Sequence, residues 1–226
     1  PYTTLFRSPM FENFGIAWSK APFGRYITNT LMIVFFNVIG AVFSNSLIAY
    51  GFAKIKFTGR ETLFKVVLAT MMIPGFVTLV PTFVIMSKLH WVNTYLPLIV
   101  PVFCGNAFHI FMMRQFYQTI PNELSEAARV DGAGHFYIWG KLIMPLTKPI
   151  MATVALVNFK NAWGDFQGPL LYLSDPKKYT LQLGLQVFKG QGYTEWNYLM
   201  AISFLSMLPI LLLFFCFQNY FIEVMN

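Results

Sequence analysis

The sequence predicts an all-α integral membrane protein: a helical bundle with five spans in this chain. Three observations point there. Apolar residues make up 56% of the chain and charged residues 11%, against about 45–50% and about 25% in soluble domains. Four stretches without Lys, Arg, Asp or Glu reach the ~20 residues that a bilayer crossing requires. The formal net charge of +7 comes from basic residues that flank those stretches. No block of Lys and Arg interleaved with aromatics forms a face for nucleic acid, so the excess reads as membrane flanking.

In chain order, residues 30–50 form the first span, with Asn37, Ser44, Asn45 and Ser46 inside it. Small and polar residues in a span suit close helix contacts and interhelical hydrogen bonds, or a polar cavity. Residues 66–87 form the second, interrupted by Pro74 and Pro81. Each proline frees a carbonyl and kinks a helix, which serves either a gate or plain packing. Residues 95–113 are the third span, with His109 inside it. A histidine there is either a functional ionisable group or a neutral ring bonded to a neighbouring helix. Residues 149–159 make a short candidate between Lys148 and Lys160, whose stems can snorkel and lengthen it. Residues 198–222 are the last and longest span.

The connections differ in kind. Residues 51–65 are short and basic, 88–94 a brief turn, and 164–197 a long Gly- and Pro-bearing loop in which 179–188 reads as a short surface helix. Residues 115–145 carry a polar knob, Pro121 to Gly134, then a second amphipathic piece from His135 to Met144. In the knob, Asn122 is an N-cap candidate, and Glu123 and Glu126 favour the positive end of the helix dipole. Ala127 and Ala128 form helix with little bulk, and Gly132 or Gly134 supplies the stop. Such a small-residue helix is either a docking element or a solvated loop helix. Counting Lys and Arg on the two sides gives eight against eight, so the charge rule leaves orientation open.

Much chemistry is missing. The only Gly-Lys pair, Gly140-Lys141, lacks the upstream Gly and following hydroxyl of a phosphate-binding loop. His90, His109 and His135 are not at metal-ligand spacing, and no catalytic constellation, metal site or cofactor site stands out. Cys104 and Cys216 lie in apolar stretches and read as buried, inert thiols. No carboxylate or basic residue sits mid-span to relay protons.

Glu126-Ala127-Ala128-x-x-x-Gly132, followed by Leu142-x-Met144-Pro145, resembles the EAA loop of ABC-importer permeases. The usual ending is Ile-x-Leu-Pro, so Leu142 and Met144 are conservative departures. Further segments are similar to the sugar-type, maltose-permease-G-like branch. They are Phe23-Gly24-Arg25-Tyr26 with Asn29-Thr30, Ala49-Tyr50-Gly51-Phe52-Ala53, Met72-Ile73-Pro74 with Pro81, and Arg114-Gln115-Phe116 leading to Ile120-Pro121. Trp163-Gly164-Asp165-Phe166 resembles a Trp-Asn-Asp-Phe segment, with Gly164 in place of Asn.

The resemblance implies a type I ABC importer permease fold of six spans, the missing one upstream. Residues 1–29 would be an outer-face segment, with 1–8 foreign to the family, and 30–222 the transmembrane domain. The coupling loop would be 115–145, the outer loop 164–197, and 223–226 the start of a shortened cytoplasmic tail. It also implies a bacterial inner-membrane location and, as partners, ATP-binding cassette subunits, a second homologous permease and an extracytoplasmic solute-binding protein. Glu126, Ala127, Ala128, Arg129, Asp131 and Gly132 would meet the ATPase, which would carry the hydrolytic activity. Pro74 and Pro81 would be gate or kink positions. The implied solute is a carbohydrate; a polyol or a glycerol-phosphate is the alternative on the same fold. A secondary transporter without an ATPase is the competing class, and it calls for an internal repeat and mid-membrane ionisable residues.

Overall fold

The computed structural model describes residues 10–190 and 193–225, which are helical apart from short connections and one isolated bridge, Lys189 with Thr194. The expectation about residues 1–8 lies outside them. A short helix α1 (Glu12–Ser19) leads into the central pillar α2 (Phe23–Lys54). Then follow α3 (Arg60–Ala69), α4 (Gly75–Lys88), α5 (Leu96–Ile99) and α6 (Ala107–Thr119), the last two joined by a 3-10 turn over Val100–Cys104. The knob is α7 (Asn122–Val130), and α8 (His135–Tyr137), a π-helical piece Ile138–Ile143 and α9 (Met144–Leu146) follow it. The chain closes with α10 (Lys148–Trp163), α11 (Gln167–Tyr172), α12 (Leu181–Gly184) and α13 (Trp196–Met225).

Among the described residues, three helical stretches are long and apolar enough to cross a membrane: Phe23–Lys54, Leu96–Thr119 and Trp196–Cys216. Two bent pairs raise the number to five if each is one span: Arg60–Met72 with Gly75–Lys88, at 99°, and His135–Leu146 with Lys148–Trp163, at 84°. The weak candidate at 149–159 is thus the core of α10, which extends through both flanking lysines. In the second span the two prolines play unequal parts. Pro74 stands at the break, after extended Ile73, whereas Pro81 lies inside unbroken α4. A proline disfavours helix in the residue before it, and at Pro74 that is where the chain turns.

The core is arranged around α2. At the knob end, Ala49 and Tyr50 of α2 pack with Met113 and Tyr117 of α6, Ile138 and Ile143 of the π piece, and Ile150 and Val154 of α10. At the opposite end, Phe23 and Tyr26 of α2 meet Trp163 of α10, Leu181 and Phe188, and Ala201 and Ile202 of α13. The outward faces are apolar instead of polar, as with Phe76, 79% exposed on α4. A soluble domain does not display such faces; hydrocarbon accepts them.

The polar residues of the first span bond across helices. Asn37 Nδ2 donates to the carbonyls of Ile33 and Leu98, both at 2.9 Å. Ser44 donates to the Phe103 carbonyl, and Asn45 Oδ1 accepts from the Asn106 backbone at 2.6 Å. These bonds satisfy the irregular backbone between α5 and α6, which lipid could not do. Gly105 forms the turn there at φ 89°, and a Cβ on it would lie 2.8 Å from Ile48.

Several expectations need correction. The described residues of the long loop 164–197 form a folded cap packed on the bundle. Asn29 Nδ2 donates to the Lys177 and Tyr179 carbonyls at 3.0 and 2.9 Å, and Asn93 Oδ1 accepts from the Ser174 and Asp175 backbone. Within it, the supposed surface helix 179–188 is buried at Leu181, Leu183, Leu185 and Phe188, because its alternating apolar residues fill the space beside α2. Cys104 and Cys216 are exposed, not buried, since each sits on an outward face of the bundle. His109 is buried, yet its Nδ1 has no hydrogen-bond partner. Helix α13 continues to Met225, so 223–225 are helical; residue 226 lies outside the described residues.

Candidate functional site: a knob at one end of the bundle

Helix α7 follows Pro121, whose ψ of 139° turns the chain sharply after Ile120. The expected cap at Asn122 does not form; no side chain caps this helix. Asn122 is instead the first helical residue, and its Oδ1 accepts from Lys54 Nζ at 3.0 Å. Lys54, the buried last residue of α2, also donates to the Ile120 carbonyl. The pillar therefore holds the base of the knob through a cation on two oxygens, a strong class of hydrogen bond.

The far end closes as the glycine suggested. Gly132 has φ 83°, its N–H bonds the Arg129 carbonyl at 2.9 Å, and the Ala133 N–H bonds Ala128 at 2.9 Å. This paired pattern is the Schellman stop, and the left-handed residue in it is usually glycine. Gly134 does not share the role; it is extended, at φ −75° and ψ 163°.

The helix has two unlike faces. Ser125 is 4% exposed and points back into the protein, whereas Leu124, Ala127 and Val130 face out, with Val130 89% exposed. Of the predicted contact residues, Glu126, Ala127, Arg129, Asp131 and Gly132 are exposed and Ala128 is half-buried against the core. Spacings of three place Leu124, Ala127 and Val130 on one stripe. A small alanine between two exposed apolar residues leaves a shallow saddle, shaped to receive another surface. Phe136 and Tyr137, 75% and 60% exposed, extend the apolar area beyond the turn.

A polar network that the motifs did not indicate lies under the knob. Trp139 Nε1 donates to Ser46 Oγ at 2.8 Å, and Ser46 Oγ shares a 2.7 Å hydrogen bond with the Tyr117 hydroxyl. It joins the π piece, α2 and α6 in the buried core. The available signal was Trp139 itself, since a buried indole N–H needs an acceptor. Arg114 adds a second tie: it bonds both oxygens of Glu61 at 2.9 and 3.0 Å and lies 4.0 Å over the Phe64 ring. The knob thus stands on a cross-linked base of α2, α3, α6 and the π piece.

Pro74 and Pro81 lie far along the chain from this assembly and do not join it. Gly75, the first residue of α4, instead lines a cavity with Asp165, Gly168 and Tyr172. An adjoining cavity of about 410 Å³ is lined by Asn37, Asn158, Asn161, Asp165 and Tyr172. Asp165 Oδ1 accepts from the Gly168 N–H at 3.0 Å. Burial pushes its carboxyl above the usual carboxylate range, and backbone donors at Gly168 and Gln167 oppose that in part.

With this geometry in view, the comparisons are consistent with one another. Residues 45–225 match the family model described as "Binding-protein-dependent transport system inner membrane component". A probable ABC transporter permease protein of Pyrococcus horikoshii is 32% identical over 99% of this chain and 78% of its own length. The melibiose/raffinose/stachyose import permease protein MelC of Bacillus subtilis is 32% identical over 94% and 78%. The sn-glycerol-3-phosphate transport system permease protein UgpE of Pectobacterium atrosepticum is 30% identical over 99% and 82%. Among solved structures, a bacterial ABC transporter involved in the import of the acidic polysaccharide alginate superposes with a TM-score of 0.82. It is 25% identical, covering 94% of this chain and 80% of that one. This all-helical chain, with its apolar faces and braced polar knob, belongs to the family of binding-protein-dependent transport system inner membrane components, the permeases of ABC importers.

Proposed function

We propose that α7 is the coupling helix through which separate ATP-binding cassette subunits drive this permease. The observation that carries this reading is the exposed saddle of Leu124, Ala127 and Val130 on a knob whose base is tied to α2 by Lys54. Glu126, Arg129 and Asp131 flank the saddle with charges that can pair with the ATPase, Ala127 and Ala128 permit close approach, and Gly132 sets the turn. Force on the saddle passes to α2 and α6 through Lys54 and through the Trp139–Ser46–Tyr117 bonds. The spans then move as levers between inward and outward access, a rigid-body transition. A second homologous permease completes the pathway, and an extracytoplasmic solute-binding protein delivers solute to the folded cap at 164–197. The ATPase activity belongs to the partner chains.

For the solute we infer a carbohydrate. Two of the relatives are named for sugar and glycerol-phosphate transport. The cavity beside α10 favours the sugar: its lining offers Asn37, Asn158, Asn161, Asp165 and Tyr172 and includes no Lys or Arg to hold a phosphate. Neutral amides, one carboxyl and an aromatic ring suit hydroxyl groups on an apolar sugar face. Purification of the tagged chain from native membranes tests the coupling claim. A nucleotide-binding chain is expected to copurify with it and to be lost in Glu126→Lys; its absence from the wild-type preparation would overturn the reading. Competition uptake then separates solutes: oligosaccharides should compete and sn-glycerol-3-phosphate should not.

A further inference from the structure

On the inward side of the knob lies a cavity of about 460 Å³, walled by the end of α2, the start of α3 and the buried face of α7. Lys54, Lys56, Arg60, Arg129 and His135 line it, and Glu126 is its one carboxylate. Among the described residues, Lys56 and Arg129 form no ion pair, Arg129 hydrogen-bonds the Tyr50 hydroxyl, and Arg60 is paired with Glu61. Ser125 also lines the cavity, and its Oγ is buried with no hydrogen-bond partner. A buried hydroxyl without a partner is rare in a folded protein. Cations gathered around an unused donor suit an anion with several acceptor oxygens.

We propose that this cavity binds a phosphate group, with Lys56 and Arg129 supplying charge and Ser125 Oγ donating a hydrogen bond. Arg129 can grip two oxygens at once, and a lysine serves as a point charge. The cavity begins where α2 ends, and basic pockets near the end of a span suit anionic lipid headgroups. A free phosphate carries the same chemistry. The site adjoins the docking saddle: Ser125 is buried on the inward side and Arg129, exposed one turn on, lies between cavity and saddle, while Leu124, Ala127 and Val130 point away. A bound phosphate would brace α7 against α2 and α3 and stiffen the knob.

The test uses the intact transporter, purified with its partner chains. Native mass spectrometry after extraction from phosphatidylglycerol-containing vesicles is expected to show one retained phosphatidylglycerol per copy of this chain. Lys56→Gln combined with Ser125→Ala should lower that retention about tenfold, the effect of losing one charge-assisted contact. Lys65→Gln, a basic residue outside the lining, should not change it. In a parallel arm, inorganic phosphate is titrated into transporter in phosphatidylcholine nanodiscs while the unfolding midpoint is followed. If phosphate raises the midpoint of the wild type but not of the double variant, and no lipid is retained, the site holds free phosphate. Lipid retention that resists added phosphate assigns it to the headgroup. Equal behaviour of wild type and double variant in both arms would overturn the proposal, as would no response in either.

Discussion

Ser46 is the single residue on which the knob's footing depends most. Its hydroxyl serves Trp139 Nε1 and the Tyr117 hydroxyl together. Ser46→Ala would remove the acceptor of the buried Trp139 indole N–H, costing about 1–3 kcal/mol, whereas the Tyr117 hydroxyl keeps Thr147 as a partner. The expected result is a lower unfolding midpoint in detergent, with a matching loss in Trp139→Phe and no further loss in the double variant. Gly132 acts differently. An L-residue at φ 83° costs about 1–2 kcal/mol, too little to prevent insertion yet enough to displace the turn beside the saddle. Gly132→Asp is therefore expected to abolish uptake at unchanged membrane abundance, as quantified by immunoblot beside transport. Asp165 predicts a pH effect. Its folded-state pKa is raised, so the fold holds this proton more tightly than the unfolded chain does. Its stabilising contribution is complete below the ordinary carboxylate range of about pH 4 and is lost as pH rises through the raised value. Asp165→Asn should flatten that fall in an unfolding midpoint measured against pH.

Among the elements, the two prolines of the second span separate cleanly. Pro74 sits at the 99° break and Pro81 within continuous α4. Pro74→Ala lets helix extend across the break and is expected to reduce uptake severalfold with insertion intact. Pro81→Ala should change uptake little. A side-by-side uptake assay decides, and equal defects would mean that the break is not set by Pro74. This contrast also marks the limit of reading the chain alone. Two prolines in an apolar run announce a kink, but which one bends depends on what packs against each. The spans at 30–50 and 198–222 were legible because long uncharged runs have one stable fate in lipid. The knob was legible because Pro121 and Gly132 punctuate it locally. The cap at 164–197 was not: its Gly and Pro residues look like loop, and its order comes from Asn29, Thr30 and Asn93, distant side chains that satisfy its backbone. Asn122 misled for a related reason, since Lys54 from another helix claims its oxygen.

Taken whole, the molecule is a bundle hung on α2, with packed cores at both ends and a polar seam between. Its outward faces are apolar and its knob is exposed, which suits a subunit whose surroundings are lipid at the sides and a motor at one end. The family assignment removes the secondary-transporter reading, and on the proposed function the bracing under α7 would carry force from knob to pillar. The most direct test is a crosslink from the saddle. In a background with Cys104 and Cys216 replaced by Ser, Ala127→Cys should form a short-range crosslink to the nucleotide-binding chain in native membranes, with an efficiency that changes when ATP is bound. Capture of no such chain, or labelling of that cysteine from the outer face of intact cells, would contradict the account.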